Sequence, residues 1–303
     1  MASPFGPLVL ICNARAGRGE LKARLPRIRA ELDARGLDHD VAFTAGPGEA
    51  SDIACSALQR GQRFLVAVGG DGTIHEVVNG ILSSGSADAV LGVVAAGTGS
   101  DFIRTFGLPR GLPEAVERLA GDGIRRIDGG RVTYTTPEGS RTRFFANIAE
   151  AGIGAAVVAR ARRLPGILGA SVYFWAFWLT AAAYRPCTVR VSCDSWSFEG
   201  RANNVVVANG RFFGGGMRIA PVATPDDGAL DVQVDHARRS ESLRLMRRVY
   251  EGAHVPHPRI AEATATWAEV DAARPLAVEA DGEVLGTTPA RFEILPGAIT
   301  LKI

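Results

Sequence analysis

Cysteine is scarce. The 303-residue chain has four, Cys12, Cys55, Cys187 and Cys193. No two form the C-x-x-C pair that zinc ribbons and thioredoxin-like redox sites use, so both are excluded. Cys12 lies in an apolar run and reads as a buried small hydrophobe. An excess of one charge is also lacking. The 34 basic and 32 acidic residues leave +2, which excludes a surface built throughout as a nucleic-acid footprint. No basic segment precedes the short apolar run near the N-terminus, so the sequence predicts no secretory signal and a reducing, cytoplasmic setting.

Long apolar runs are few. Ile167–Tyr184 carries no charge, but as a helix it would reach only about 27 Å against a hydrocarbon core of about 30 Å. Gly169, Ser171 and Thr180 interrupt it and Arg185-Pro186 stops it. It reads as a buried or membrane-touching helix rather than a span. Several motifs are missing too. There is no G-x-x-x-x-G-K-[ST], no H-R-D or D-F-G and no G-x-S-x-G, which excludes P-loop enzymes, protein kinases and α/β-hydrolases. Gly17-Arg18-Gly19 is followed by Lys22 where a dinucleotide fingerprint needs its third glycine.

What is present is a chain of ordinary composition, 22% charged and 47% hydrophobic. Disorder, collagen and coiled coil are thereby excluded, and the length suits two domains or one large one. The first 125 residues alternate strand and helix. Leu8–Asn13, Phe64–Val68 and Leu91–Ala95 are continuous apolar runs, as in strands buried on both faces. Leu21, Leu25, Ile28 and Leu32 form one helix face. Helices are also expected at Gly48–Gly61 and Ile74–Leu82, and Leu112-Pro113-Glu114 opens another with Pro in its first turn. That alternation predicts a parallel sheet with right-handed crossovers.

After about Arg125 the texture changes to short strand-like runs: Arg143–Ile148, Thr188–Cys193, Asn204–Ala208, Leu230–Val234, Leu276–Ala280 and Ala298–Ile303. Asp-Gly and Pro-Gly turns separate them, as in a sandwich or barrel. Helices are expected at Ala155–Leu164, Ile167–Tyr184 and Ser240–Gly252. The boundary divides an α/β nucleotide-binding domain, 1–128, from a β-rich domain, 129–303, with the last strand free to return to the first.

The sharpest feature is Gly69-Gly70-Asp71-Gly72-Thr73, between a buried strand and a helix. Glycines let a ligand approach bare backbone, and amides at a helix N-terminus attract phosphate. The plainer reading is a tight turn with Asp71 or Thr73 as N-cap. Asp71 favours the first. A carboxylate 4 Å from a phosphate charge is repelled by about 4 kcal/mol at an effective dielectric of 20. An acid therefore belongs in such a loop when Mg²⁺ bridges the two charges. Asn13–Gly19 and Gly97-Thr98-Gly99-Ser100-Asp101 are further Gly-rich loops after strands, and three at one sheet edge would form a nucleotide crevice.

Three acidic groups follow: Asp128-Gly129, Asp226-Asp227-Gly228 with Asp231, and Asp281-Gly282-Glu283. Each reads as a hairpin turn or a cluster of oxygen ligands, since Asp-Gly is a turn dipeptide. His75 reads as a helix-face residue or a nucleotide contact. Arg160, Arg162 and Arg163 form a solvated helix face or a membrane or phosphate contact.

Phe64–Leu82, FLVAVGGDGTIHEVVNGIL, closely resembles the glycine-rich signature of the diacylglycerol kinase catalytic domain. Over nearly its whole length the chain resembles soluble bacterial lipid kinases related to sphingosine kinases. The resemblance includes Asn13–Gly19, Gly97–Phe102, Asn209–Met217, Asp226-Asp227-Gly228 and Asp281-Gly282-Glu283, in that order. It implies an N-terminal α/β domain like that of NAD kinases and phosphofructokinase, and a C-terminal β-sandwich that takes a lipid substrate. It implies ATP and Mg²⁺ as cofactors, with ATP contacts from Asn13, Thr44, Gly69, Gly70, Asp71, Gly72, Thr73, Ile74, His75 and Thr98. Asp71 would act through the catalytic Mg²⁺, assisted by Asp128, and Glu283 would accept the proton of the lipid hydroxyl, with Asp281 the alternative base. Thr224, Asp227 and Ala229 would surround a second, structural Mg²⁺.

Two departures touch nucleotide contacts, Asn13-Ala14 where the family commonly has Asn-Pro and Ser100 where Asn commonly precedes Asp; the glycines and acids stay intact. The implied partners are ATP and a lipid at a membrane surface, with no nucleic acid and a homodimer left open. The implied location is cytoplasmic, at the membrane when acting. The rival readings are an NAD kinase-like small-molecule kinase, and a nucleotide- or lipid-binding module without catalysis.

Overall fold

A computed structural model describes residues 3–14, 21–96, 101–164 and 172–303. The chain forms two compact units, Met1–Gly129 with Pro296–Ile303, and Gly130–Leu295.

The first unit alternates β1 (Leu8–Asn13), α1 (Leu21–Asp33), β2 (His39–Thr44), α2 (Glu49–Gln59), β3 (Phe64–Gly69), α3 (Asp71–Ser84), β4 (Val90–Ala95), α4 (Asp101–Phe106) and α5 (Leu112–Ala120). The strands pair in parallel in the order β2-β1-β3-β4. The chain end adds to β4, also in parallel, through Thr300↔Val90 and Leu301↔Leu91. Helices cover such a sheet on both faces, which is why β3 is buried along its whole length and reads as one apolar run. On one side Leu10, Cys12, Val66 and Val94 pack with Leu21, Ile28 and Leu32 of α1 and Val116 and Leu119 of α5. Truncating one such leucine to alanine costs about 2–5 kcal/mol. Burial pushes the Cys12 thiol up to about 12, so it behaves as the inert hydrophobe its surroundings suggest. Gly80 sets the approach of α2 to α3, since a Cβ there would lie 2.5 Å from the Ser51 carbonyl oxygen.

Strand order reverses between β1 and β3, because β2 flanks β1 on the other side. In open α/β sheets that reversal opens a crevice at the carboxyl ends of the strands. The register Asn13↔Thr44, Cys12↔Val68 and Gly69↔Ala95 brings Asn13, Thr44 and Gly69 to that edge.

The second unit is antiparallel. β5 (Ile124–Thr136) leads into it and pairs with β6 (Gly139–Phe145). Then come β7 (Ile148–Gly152), α6 (Ile153–Ala161), α7 (Val172–Ala183), β8 (Cys187–Cys193), β9 (Ser197–Ala202), β10 (Asn204–Ala208), β11 (Leu230–Asp235), α8 (Arg239–Glu251), β12 (Ile260–Ala265), β13 (Trp267–Ala272), β14 (Ala277–Ala280) and β15 (Glu283–Lys302). One row runs β12-β11-β10-β7-β14-β15 and another β9-β8-β13-β15. β15 serves both, pairing first with β14 (Ala280↔Glu283) and then with β13 (Trp267↔Glu293). Alternate residues of these strands, among them Phe145, Val191, Val207, Val232, Val278 and Phe292, fill one core. The result is β-sandwich-like.

Two expectations need correction. Asp128-Gly129 is no turn; both residues lie within β5, where Asp128 is 2% exposed. Arg143–Ile148 is not one strand but breaks at Ala146-Asn147, between β6 and β7. Of the helix expected at Ile167–Tyr184, Val172–Ala183 forms α7, and 167–171 lie outside the described residues. Among the described residues no helix is long and apolar enough to cross a membrane.

Candidate active site

In the first unit the site starts at the N-terminus of α3. Gly70 is the N-cap, in extended backbone and without a side-chain cap. Asp71 and Thr73 therefore do not cap α3 as the turn reading expected. Instead Asp71 Oδ2 accepts the Asp101 amide at 3.2 Å and Oδ1 the Phe102 amide at 3.1 Å, so Asp71 caps α4. A carboxylate suits that place, since a helix N-terminus carries partial positive charge.

The glycines beside it differ in purpose. A Cβ on Gly69 would lie 2.3 Å from Thr73 Oγ1, so glycine there lets α3 fold tightly over the end of β3. Among the described residues a Cβ on Gly72 would meet nothing within 4 Å, and Gly72 is exposed. The first amides of a helix lack intrahelical partners, so this open corner can take an anion. Thr73, Ile74 and His75 are buried, and His75 Nε2 stands 3.3 Å from Asn79 Nδ2. Surface in this run is therefore offered by Gly70, Asp71 and Gly72. Thr98 and the loop after Ala14 lie outside the described residues. Asp128 Oδ1 accepts the Gly297 amide at 2.6 Å, which fastens the returning chain end.

Among the described residues no group of three or more His, Cys, Asp or Glu side chains is arranged to hold a metal alone. Mg²⁺ usually takes one or two carboxylates and completes its shell with phosphates and water. Asp71 beside an anion-binding corner fits that donor set.

In the second unit the Asp281-Gly282-Glu283 turn joins β14 to β15. Asp281 and Gly282 have φ of +46° and +86°, a conformation that suits Gly and is tolerated by Asp. Asp281 Oδ2 accepts the Ala146 amide at 2.8 Å, and Oδ1 accepts those of Asn147 and Ile148 at 3.1 and 2.9 Å. These bonds explain the break between β6 and β7: the amides there turn toward the carboxylate instead of continuing a strand ladder.

Glu283 is held differently. Arg143 donates to its Oε2 from Nε at 3.2 Å and Nη2 at 2.9 Å, and the Glu283 side chain remains one-third exposed. Arg143 is not marked out in the sequence: it follows Arg141 by two residues on β6, and its one signal is a cation beside the apolar pair Phe144-Phe145.

The turn before β11 carries the expected structural-metal residues. The Thr224 carbonyl accepts the amides of Asp226 at 2.8 Å and Asp227 at 3.3 Å, and Asp227 Oδ1 accepts the Ala229 amide at 3.1 Å. Burial, then the charges of Asp227 and Glu262, push the Asp231 carboxyl up to about 6. The acids crowd together here, yet among the described residues they form no group arranged to hold a metal, and the Thr224 carbonyl is already engaged within the turn.

Comparison with known proteins matches both parts of the chain. Residues 7–132 match the diacylglycerol kinase catalytic domain, and residues 147–303 match the YegS C-terminal NAD kinase beta sandwich-like domain. A Pseudomonas aeruginosa protein named "Probable lipid kinase YegS-like" is 31% identical over 98% of this chain and 93% of its own. A diacylglycerol kinase of Staphylococcus haemolyticus is 27% identical over 93% of this chain and 84% of its own. A diacylglycerol kinase crystal structure from Bacillus anthracis shares the fold, with a TM-score of 0.74 at 21% identity, covering 99% of this chain and 97% of that one. With both of its domain types matched and relatives aligned nearly end to end, the chain belongs to the diacylglycerol kinase catalytic-domain family of lipid kinases, with a C-terminal domain of the YegS type.

Proposed function

We propose that this protein transfers the γ-phosphoryl group of ATP to the hydroxyl of a membrane lipid, diacylglycerol or a sphingoid-like alcohol. The observation that carries the reading is the corner at Gly70-Asp71-Gly72, where open backbone at a helix N-terminus adjoins a carboxylate. Phosphoryl transfer is mostly alignment and charge neutralisation. The Gly70–Gly72 backbone holds the phosphates, with Asn13, Thr44 and Thr98 as further nucleotide contacts. Bound at Asp71, Mg²⁺ supplies neutralisation of the phosphate charge. Asp128 keeps its assisting role through the segment it fastens. Glu283 accepts the hydroxyl proton as the new P–O bond forms. Asp281, whose two oxygens take three backbone amides, builds the turn rather than serving as base. Thr224, Asp227 and Ala229 hold a structural cation.

The lipid has to be reached at a membrane surface, and α7 suits that contact. It buries Ala176, Thr180 and Ala181 and exposes Trp175, Trp178 and Leu179. Arg160 Nε bonds Thr180 Oγ1 at 3.0 Å and joins α6 to α7, with Arg162 and Arg163 following. Aromatic and basic side chains together favour an anionic lipid interface.

The test is incubation with γ-labelled ATP, Mg²⁺ and total bacterial lipid extract, with mass spectrometry of the products. A new phospholipid one phosphate heavier than its precursor is expected. Label on NAD alone, with none on lipid, would overturn the reading.

A further inference from the structure

Two acids meet inside an antiparallel sheet, shut away from the surface. Glu150 of β7 and Glu279 of β14 stand directly opposite in register, 1% and 0% exposed. Among the described residues, Glu150 Oε2 and Glu279 Oε1 have no hydrogen-bond partner. The other Glu279 oxygen, Oε2, accepts the amide of Gly282 at 2.8 Å. The site is tight: a Cβ on Gly154 would fall 1.6 Å from Glu150 Oε2. The β14–β15 register also slips between Val278 and Glu279, and such bulges re-aim side chains near active sites.

We propose that Glu279, backed by Glu150, is a positioning residue for Glu283: it takes the Gly282 amide and so fixes the turn that aims the base. It rests on the reading of Glu283 as proton acceptor. The turn is fastened at every residue: Asp281 by three amides, Gly282 by Glu279 through its amide and by Arg162 Nη2 at 3.1 Å through its carbonyl, and Glu283 by Arg143. Removing the Glu279 acceptor frees one peptide plane at the left-handed pair Asp281-Gly282, one residue before the carboxylate.

Burial favours the protonated form of the pair over the ionised one. Two ionised carboxyls side by side in this interior would repel strongly and lack solvation. Burial raises both, and the charge of Glu150 raises Glu279 further. Facing them are Asn204 of β10, which bonds Glu150, Asp281, which raises Glu279, and Arg162 after α6, which pulls Glu279 the other way. A neutral acid still accepts the Gly282 amide through its carbonyl oxygen. Glutamine can therefore stand in for Glu279, while methionine, of similar length, cannot.

The experiment compares E279Q and E279M in the full chain by steady-state kinetics, thermal melting and hydrogen exchange at the Gly282 amide. E279Q is expected to keep kcat and slow exchange. E279M leaves the Gly282 amide without its acceptor and is expected to melt only slightly lower than wild type. Its kcat should fall about 10- to 100-fold through misalignment, with the KM for ATP unchanged and Gly282 exchange accelerated. Wild-type kcat and slow exchange in E279M would overturn the proposal. So would an E279Q that folds but loses kcat and Gly282 protection, a result that also decides the matter if E279M does not fold. A wild-type protein inactive on every lipid would instead overturn the kinase reading, and exchange at Gly282 would still decide this one.

Discussion

Arg143 grips a single oxygen of Glu283, donating from Nε and Nη2 to Oε2 at 3.2 and 2.9 Å. The two residues are 140 apart in sequence and meet because β6 ends where β15 begins its course. A charge-assisted pair of donors placed this way fixes the orientation of the carboxylate. Replacing Arg143 with Met is expected to lower kcat about tenfold, the effect of losing about 1.4 kcal/mol of alignment. KM for ATP should not change. Initial rates at saturating lipid and varied ATP check this; an unchanged kcat would separate Arg143 from the reaction.

Asp71 gives a second prediction with two readouts. D71N keeps the shape but removes the charge that caps α4 and would bind Mg²⁺. Stability should fall by only about 0.3–1 kcal/mol, the usual worth of a charge at a helix end. Activity should fall 100-fold or more, given that metal charge stabilisation is worth several kcal/mol. Urea denaturation and lipid phosphorylation on the same sample distinguish the two effects.

The neighbouring glycines should respond in opposite ways. G69A places a methyl against Thr73 Oγ1 and is expected to lose about 1–3 kcal/mol of stability. G72A has open space around its methyl and should melt near wild type. Its methyl would nevertheless occupy the approach to the α3 amides, so ATP should bind about tenfold more weakly, a loss of about 1.4 kcal/mol. Melting curves with and without MgATP measure both.

The Glu150–Glu279 pair makes stability depend on pH. Both carboxyls hold protons more tightly in the folded chain than in the unfolded one, because burial disfavours their charge. Between the usual glutamate pKa, about 4.3, and their raised folded values, the folded state therefore binds more protons than the unfolded state. The contribution is fully present below that window and is lost as pH rises through it. Urea midpoints of wild type should fall across the window more steeply than those of E150Q/E279Q; parallel curves would contradict it.

The exposed aromatics of α7 predict a membrane effect that spares the chemistry. A W175A/W178A variant should sediment less with vesicles containing anionic lipid. It should phosphorylate vesicle-borne lipid more slowly, yet act normally on a short-chain soluble analogue. Equal sedimentation of the variant and wild type would remove α7 from the interface.

Some of this was legible in sequence because its cause is local. The apolar runs of β1 and β3 announce strands covered on both sides, and the glycines around Asp71 announce a sharp strand-to-helix corner. Other features have causes far along the chain. Asp128-Gly129 reads as a turn, yet flanking β5 residues are paired and Asp128 bonds Gly297, 169 residues away. The interruption at Ala146-Asn147 cannot be seen locally, since the Asp281 carboxylate that causes it lies 134 residues from Asn147. Asp71 looks like the cap of its own helix, but caps one that begins 30 residues later. Glu150 and Glu279 did leave a trace. Each interrupts an apolar stretch, Ala149-Glu150-Ala151 and Val278-Glu279-Ala280, though only the sheet register shows that they face one another.

The central claim is that an acid beside open helix amides seats a triphosphate through a divalent cation. A crystal structure with Mg²⁺ and a non-hydrolysable ATP analogue tests it most directly. The phosphates should lie against the Gly70–Gly72 backbone, with Mg²⁺ about 2.0–2.1 Å from a carboxylate oxygen of Asp71 or joined to it through one water. Nucleotide bound elsewhere, with that corner of α3 empty, would contradict it.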